Sequence, residues 1–134
     1  MEENKRKHLE FLQLTITRMN VNSFLLKGWT ITLIAALFAL AAKDANANYV
    51  MIAYIVIPSF WTLDGYFLSI ERRYRDLYNE VAKKTEADID FDMNHTRFDK
   101  GDRTWVSGIF SSTLLIFYGV SVITTLIVMY FLNK

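Results

Sequence analysis

Three long apolar blocks, separated by charged or polar segments, constrain the fold of this sequence most strongly. They are VNSFLLKGWTITLIAALFALAAK, YVMIAYIVIPSFWTLDGYFLSI and WVSGIFSSTLLIFYGVSVITTLIVMYFL. A helix needs about 20 predominantly apolar residues to cross the hydrocarbon core of a bilayer. Each block meets that length, so the sequence predicts transmembrane helices at residues 21–42, 49–70 and 105–132.

The other segments are predicted to be helix or loop, which makes the expected fold an all-α membrane protein. Residues 1–20 are predicted to form an amphipathic cytoplasmic helix that lies on the membrane surface or packs on neighbouring helices. Its apolar residues recur at helical spacing and are Leu9, Leu12, Ile16 and Met19. Residues 43–48 are expected to form a tight external turn. Residues 71–104 are expected to begin as a charged helix and to continue as an ordered loop or a short strand.

Length and composition exclude several classes of function. A chain of 134 residues accommodates one compact unit. Its net charge of +1 argues against a general nucleic-acid-binding protein, which would be strongly basic. The absence of cysteine excludes disulfides, thiolate catalysis and cysteine metal sites. No motif pairs a nucleophile with a base, so we expect neither an enzyme nor a cofactor.

The segment DIDFDMN is the nearest approach to a metal-binding motif. It places oxygen-bearing side chains at alternating positions, as the start of a calcium-binding loop does. However, Met93 stands where that loop needs glycine, and Asp99 stands where it needs a bidentate glutamate. His8 and His95 are isolated and lack ligand spacing, so we expect them on the surface. The sequence therefore predicts no metal site.

The distribution of Lys and Arg predicts how the chain is oriented in the membrane. One side of the predicted bilayer receives nearly all of them: Lys5, Arg6, Lys7, Arg18, Arg72, Arg73, Arg75, Lys83, Lys84, Arg97, Lys100 and Arg103. Only Lys43 and Lys134 fall on the other side. Since basic residues favour the cytoplasmic side, the N-terminus and the long loop are predicted to be cytoplasmic and the C-terminus external. The charged N-terminus does not resemble a signal peptide, so we expect it to be part of a mature multi-pass membrane protein.

Part of this basic set is a candidate contact for anionic groups. The residues are Lys5, Arg6, Lys7, Arg72, Arg73, Arg75, Arg97, Lys100 and Arg103. The simpler interpretation is that they set the orientation and contact anionic headgroups of membrane lipids. The more specific interpretation is a site for a cytosolic anion such as a nucleotide, although no glycine-rich phosphate-binding loop accompanies them.

Asp64 and Lys27 are charged residues inside predicted spans. Asp64 lies six residues before Ile70, and Lys27 lies six residues after Val21, so both sit roughly 9 Å inside the same boundary at helical rise. A lone carboxylate at that depth costs about 2.5 kcal/mol or more. Pairing with Lys27, or protonation, lowers that cost. The pair would fix the register of two helices or act as a gating group in an ion pathway, and both roles stay open. Other candidate partners of Asp64 are a neighbouring subunit and the side chains of Trp29, Asn20 and Asn22.

Two further features concern helix shape and assembly. Pro58 lies within the second span, removes one helical hydrogen bond and predicts a kink. The third span carries small residues that allow close helix contact, among them Gly108, Ser111, Ser112 and Gly119. They would pack on the chain's own helices, or would form a self-association face or pore lining. Because three helices alone bury few side chains, we expect a homo-oligomer.

The segments MNVNSFLLKGW, DGYFLSIERRYRDLYNEV and FDMNHTRF resemble a family of small bacterial three-span membrane proteins. The residues on the shared pattern are Asn20, Asn22, Lys27, Gly28, Trp29, Asp64, Glu71, Arg72 and Arg75. The family resembles membrane channel effectors of antiphage defence systems such as Hailong. The resemblance implies an oligomeric pore of the bacterial inner membrane that opens when a cytosolic signal arrives, for example a nucleotide or oligonucleotide made by a partner enzyme.

The expected function is therefore a membrane channel or pore effector, closed at rest, that acts in abortive infection. A non-conducting membrane anchor that recruits a soluble partner through residues 71–104 is an alternative. A holin-like pore former is another, although holins with three spans commonly have the reverse orientation.

Overall fold

The computed structural model describes residues 3–44 and 46–132. Its helices are α1 (Glu3–Asp44), α2 (Asn48–Ala82), α3 (Trp105–Ile109) and α4 (Ser112–Leu132), with short 3₁₀ turns at Glu86–Asp88, Thr96–Phe98 and Gly101–Arg103. These described residues contain no β-strand. The predicted all-α fold is confirmed, and α1, α2 and α4 are each long and apolar enough to cross a membrane.

Helix α1 joins two segments that the sequence divides. Its 42 residues form one uninterrupted helix about 63 Å long, twice the thickness of a bilayer core. The predicted helices at 1–20 and 21–42 therefore form one element, because the helix continues through Asn20 and Val21. The membrane boundary between them stays a prediction. Met1 and Glu2 lie outside the described residues. Residues 3–20 continue the same helix and pack on α2 through Leu9 and Leu12.

Helix α2 runs antiparallel to α1 and forms a long helical hairpin with it. The turn between them is closed by the Asn46 side chain, which accepts a hydrogen bond from the Asn48 N–H at 2.9 Å. Pro58 lies inside α2 without ending it, so the predicted kink stays a prediction. The helix also continues beyond Ile70 as far as Ala82, so the first part of the 71–104 segment belongs to the same helix as the second span.

The charged ends of the hairpin pack together as a two-helix stalk, which we define as residues 3–20 and 71–82. Leu12, Leu77 and Val81 are fully buried at its centre. Residues 83–104, here called the docked loop, fold back over the stalk with three apolar side chains. These are Ile89, Met93 and Phe98. This burial orders the loop. The sequence left open whether the segment forms an ordered loop or a short strand, and the structure contains the ordered loop.

The third apolar block is not one helix, so the prediction of a continuous span over 105–132 is wrong. The chain leaves helical geometry at Phe110 and Ser111, between α3 and α4. The Ser111 hydroxyl accepts a hydrogen bond from the Leu114 N–H at 3.4 Å and so caps α4. The 21 residues of α4 extend about 32 Å, which is enough to cross a hydrocarbon core.

Helix α3 packs against α2 through two glycines. A Cβ added to Gly108 would lie 2.5 Å from the Gly65 carbonyl oxygen, and one added to Gly65 would lie 2.6 Å from Ile109 Cγ1. Only glycine permits such an approach. Further into the apolar part, Ile34, Ala53 and Ile57 meet Leu114 and Tyr118, and this cluster joins α1, α2 and α4.

Candidate functional site

Asp64 is the most unusual residue of the apolar part, because its side chain is fully buried and accepts three hydrogen bonds. Lys27 Nζ lies 2.6 Å from Oδ2, and the Tyr118 hydroxyl lies 2.9 Å from the same oxygen. The Ser23 hydroxyl donates to Oδ1. We call these four residues the polar cluster. Its members come from α1, α2 and α4, so every long apolar helix contributes to it.

Helix geometry explains the α1 side of the polar cluster. Ser23 and Lys27 are four residues apart and therefore share one face of α1. The Lys27 ammonium also donates to the Ser23 hydroxyl oxygen at 2.9 Å and lies 5.9 Å from the centre of the Phe117 ring. Its side chain is 19% exposed. The ammonium is thus held by a carboxylate, a hydroxyl and an aromatic face.

The structure brings Lys27 and Asp64 together, as their equal depth predicts. The hydrogen bonds to Asp64 come from Lys27, Ser23 and Tyr118, and not from the alternative candidates Trp29, Asn20 and Asn22. A partner in a neighbouring subunit stays a prediction. Sequence reasoning missed Ser23 and Tyr118. Ser23 could have been found from helix spacing, since it lies four residues before Lys27. Tyr118 has the depth of the charged pair only when α4 is counted from Ser112, a start that the sequence does not predict.

Trp61 connects the polar cluster to the break between α3 and α4. Its ring stacks on the Tyr118 ring with centroids 5.7 Å apart and an interplanar angle of 7°. Its indole N–H donates to the Ile109 carbonyl oxygen at 2.8 Å. That carbonyl lies at the end of α3, where helical partners are missing. The same side chain therefore stabilises the break and positions the phenol that contacts Asp64.

The four small residues predicted for packing or assembly divide into two groups. Gly108 and Ser111 act within the chain, the first against Gly65 and the second as the cap of α4. Ser112 is exposed, and a Cβ at Gly119 would meet nothing within 4 Å. Ser112 and Gly119 are seven residues apart and share one face of α4. That face therefore has open space beside Gly119, although Gly119 itself is half-buried.

Most of the predicted basic contact set is engaged within the chain. Four of the arginines pair with carboxylates at 2.8–2.9 Å: Arg73 with Asp99, Arg75 with Glu71, Arg97 with Glu80 and Arg103 with Asp76. Arg72 donates to the Asp102 carbonyl oxygen at 2.8 Å. Lys5, Arg6, Lys7 and Lys100 have no carboxylate partner among residues 3–44 and 46–132. The structure therefore reduces the basic set available to an external anion to those four residues and, in part, Arg72.

The N-terminal end of the stalk is held by the docked loop. The Glu86 carboxylate accepts hydrogen bonds from the Asn4 and Lys5 backbone N–H groups, each at 3.0 Å. A carboxylate at this position also compensates the positive end of the helix dipole. His8 is fully buried, so its predicted surface position is wrong; its Nε2–H donates to the Asp92 carbonyl oxygen at 2.9 Å. The loop that buries His8 lies more than 80 residues away in sequence.

His95 belongs to the docked loop and lies beside Tyr74 of the stalk, with ring centroids 5.0 Å apart. Burial lowers the pKa of His95 below its usual 6.5, and the nearby positive charge of Arg73 lowers it further, while Asp99 opposes this effect. His95 is thus half-buried against Tyr74, in contrast to the expected surface position.

No group of three His, Cys, Asp or Glu side chains within the described ranges could hold a metal ion. No protein-family model, no curated protein and no solved structure matches this chain.

Proposed function

We propose that this protein is an oligomeric channel or pore of the bacterial inner membrane, closed at rest and opened by a cytosolic signal in antiphage defence. The observation that carries the proposal is the polar cluster. A fully buried carboxylate pairs with an ammonium at the point where three apolar helices meet. Ionisable residues inside membrane spans are costly, and they mark ion pathways and gates in many membrane proteins.

The geometry of the cluster supports a closed resting state. Lys27 and Asp64 satisfy each other within the hairpin, and Tyr118 adds α4 to the pair. Separating α4 from the hairpin removes the phenol hydrogen bond and uncovers the charged pair. Uncovered charges are stable only next to water, so a state with α4 displaced would favour a wet path beside the pair.

The outward face of α4 supports self-association. Ser112 and Gly119 leave room for a second helix to approach closely, and this chain does not fill that room. In a membrane, such contacts depend on packing and hydrogen bonds between helices, because lipid is as apolar as the side chains. Copies arranged around an axis would place the polar clusters near a shared pathway.

The stalk and the docked loop would receive the signal. Lys5, Arg6 and Lys7 carry charge without a carboxylate partner in the described chain, which suits a nucleotide or oligonucleotide made by a partner enzyme. By the positive-inside rule, the basic residues favour a cytoplasmic position for this end. A ligand opens the channel only if it binds the open state more tightly than the closed state.

A membrane anchor that recruits a soluble partner is the second candidate. It is favoured by the docked loop, whose ion pairs and capping carboxylate form a fixed surface on the stalk. In that case the polar cluster would only hold the three helices in register.

The two candidates differ in conductance. We would reconstitute the purified protein in planar bilayers and compare it with Tyr118→Phe, which removes the phenol hydrogen bond, and with Ser59→Ala as a control. The Ser59 hydroxyl is exposed and bonds only to its own helix, at the Ile55 carbonyl. We expect Tyr118→Phe to raise the open probability and Ser59→Ala to leave it unchanged. A monomeric protein that never conducts in either form would exclude the channel.

A further inference from the structure

The stalk carries a groove on one side and a protruding loop on the other. The groove lies between α1 and α2 and has a volume of about 580 Å³. Leu9, Leu14 and Tyr78 provide its apolar lining, and Gln13 also lines it. We call it the Gln13 groove. In the described chain no other segment fills it.

The charges at the Gln13 groove are mainly positive. Lys5 and Arg6 line it at the N-terminal side and have no carboxylate partner among the described residues, while Glu10 is the acid that also lines it. A partner with an apolar tip and neighbouring acids would therefore suit both the lining and the charge.

The docked loop presents such a tip. Phe91 is 40% exposed and has a φ of 54°, a left-handed conformation that bulky residues rarely adopt. Its ring packs against the rings of His8 and Phe11, and Phe11 is itself 46% exposed. Three acids flank it, Asp88, Asp90 and Asp92. We call residues 88–92 the Phe91 tip; Lys84 lies 3.5 Å from Asp90 and offsets only part of its charge.

The two features cannot meet within one chain. Phe11 supports the tip, and Gln13 lies in the groove; two positions along a helix correspond to a rotation of about 200°. The tip and the groove are therefore on nearly opposite faces of α1. Both also stand clear of the membrane, since Gln13 lies eight residues before Val21, about 12 Å beyond the predicted boundary.

We infer that the Gln13 groove of one copy receives the Phe91 tip of the next copy, in a head-to-tail contact. The occupant is a second copy of this chain because the tip complements the groove in apolar character and in charge. A contact between two different surfaces repeats from copy to copy, and it closes into a ring when the rotation permits. This inference rests on the proposed self-association and adds its cytoplasmic interface.

Disulfide trapping tests the contact directly, because the chain contains no cysteine of its own. In the variant Gln13→Cys with Phe91→Cys, neighbouring copies would be linked on mild oxidation in native membranes. We expect a reducible ladder of multiples of 15.6 kDa on a denaturing gel. Asp90→Cys in place of Phe91→Cys provides a second pair that keeps the aromatic side chain.

Three controls decide how the ladder is interpreted. Each single cysteine should give monomers, because a head-to-tail contact never places two identical residues together. Dimers from a single variant would show a symmetric interface and overturn the inference. Gln13→Cys with Ala42→Cys should give no ladder, since these positions are about 44 Å apart along α1.

The experiment separates failure of the contact from failure of the proposed function. If the protein is oligomeric by light scattering in detergent but neither cysteine pair forms a ladder, the interface is wrong and the channel proposal stands. If it is monomeric, both are wrong. As a test of charge, Arg6→Glu should slow the linking roughly threefold or more at low salt, and the effect should shrink as salt is added. A rate unaffected by Arg6→Glu would contradict the charge complementarity.

Discussion

The Lys27–Asp64 pair makes a quantitative prediction about stability. In Lys27→Met, the fully buried Asp64 loses its counter-ion but keeps the hydrogen bonds from Ser23 and Tyr118. Removing one partner of a buried pair costs about 3–5 kcal/mol. Because two hydroxyl donors remain, we expect the lower end of that range, about 3 kcal/mol.

The opposite single variant should cost less. In Asp64→Asn the amide oxygen still accepts a hydrogen bond, and the Lys27 side chain is already 19% exposed, so its ammonium can move towards water. We expect a loss of about 2 kcal/mol. If the residues were independent, the double variant would lose about 5 kcal/mol. It leaves no charge buried, so we expect it to lose only about 2 kcal/mol, a coupling of about 3 kcal/mol.

The assay is reversible unfolding in mixed micelles, with helicity as the signal and the free energy of unfolding obtained by linear extrapolation. Thr62→Ala is the control, since the Thr62 hydroxyl is exposed and bonds to the Pro58 carbonyl of its own helix. The double variant must be more stable than Lys27→Met. If it is no more stable than the worse single variant, the two residues do not stabilise each other and the pairing argument is refuted.

Three other variants test the packing and the docked loop. Gly65→Ala should destabilise the protein by about 1–3 kcal/mol, because its Cβ would clash with α3, and a thermal unfolding series would measure this loss. Glu86→Gln should cost about 0.5–1 kcal/mol through the lost charge at the N-terminus of α1, and should speed hydrogen exchange of the first-turn amides. His95→Gln should weaken the pH dependence of stability. The pKa of His95 is lowered in the fold by burial and by Arg73, so below pH 6.5 the unfolded chain binds the proton more readily and the free energy of unfolding falls.

A different result would contradict each of these three predictions. Gly28→Ala is the matched control for the glycine, since a Cβ there would meet nothing within 4 Å, and equal losses at both positions would contradict the close contact. Unchanged first-turn exchange in Glu86→Gln would show that the carboxylate does not hold the helix end. For His95, an equal loss of stability between about pH 7.5 and pH 5.5 in the parent and the variant would exclude its contribution.

The long-range features of the fold were only partly predictable from the sequence. The length of the apolar blocks was sufficient to predict three apolar helices. The equal depth of Lys27 and Asp64 was sufficient to predict their contact. The break before Ser112 was not predictable from periodicity, because the whole block is apolar and carries no helix-stopping residue there. The break depends on distant partners in α2. The Trp61 indole donates a hydrogen bond to a carbonyl of α3, and the absence of a side chain at Gly65 lets α3 approach closely. His8 likewise owes its burial to a loop that no local pattern connects with it.

Asp64 and Gly65 are adjacent, yet they hold the two parts of the third block in different ways. Gly65 fixes α3 by backbone contact so close that α3 cannot slide along α2 without losing it. Asp64 holds α4 by one hydrogen bond from Tyr118, which a rotation of α4 would break. The non-helical residues Phe110 and Ser111 lie between these two attachments and can absorb such a rotation. In the proposed channel, α4 is therefore the helix that moves, and the charged pair is the part of the hairpin that its movement uncovers.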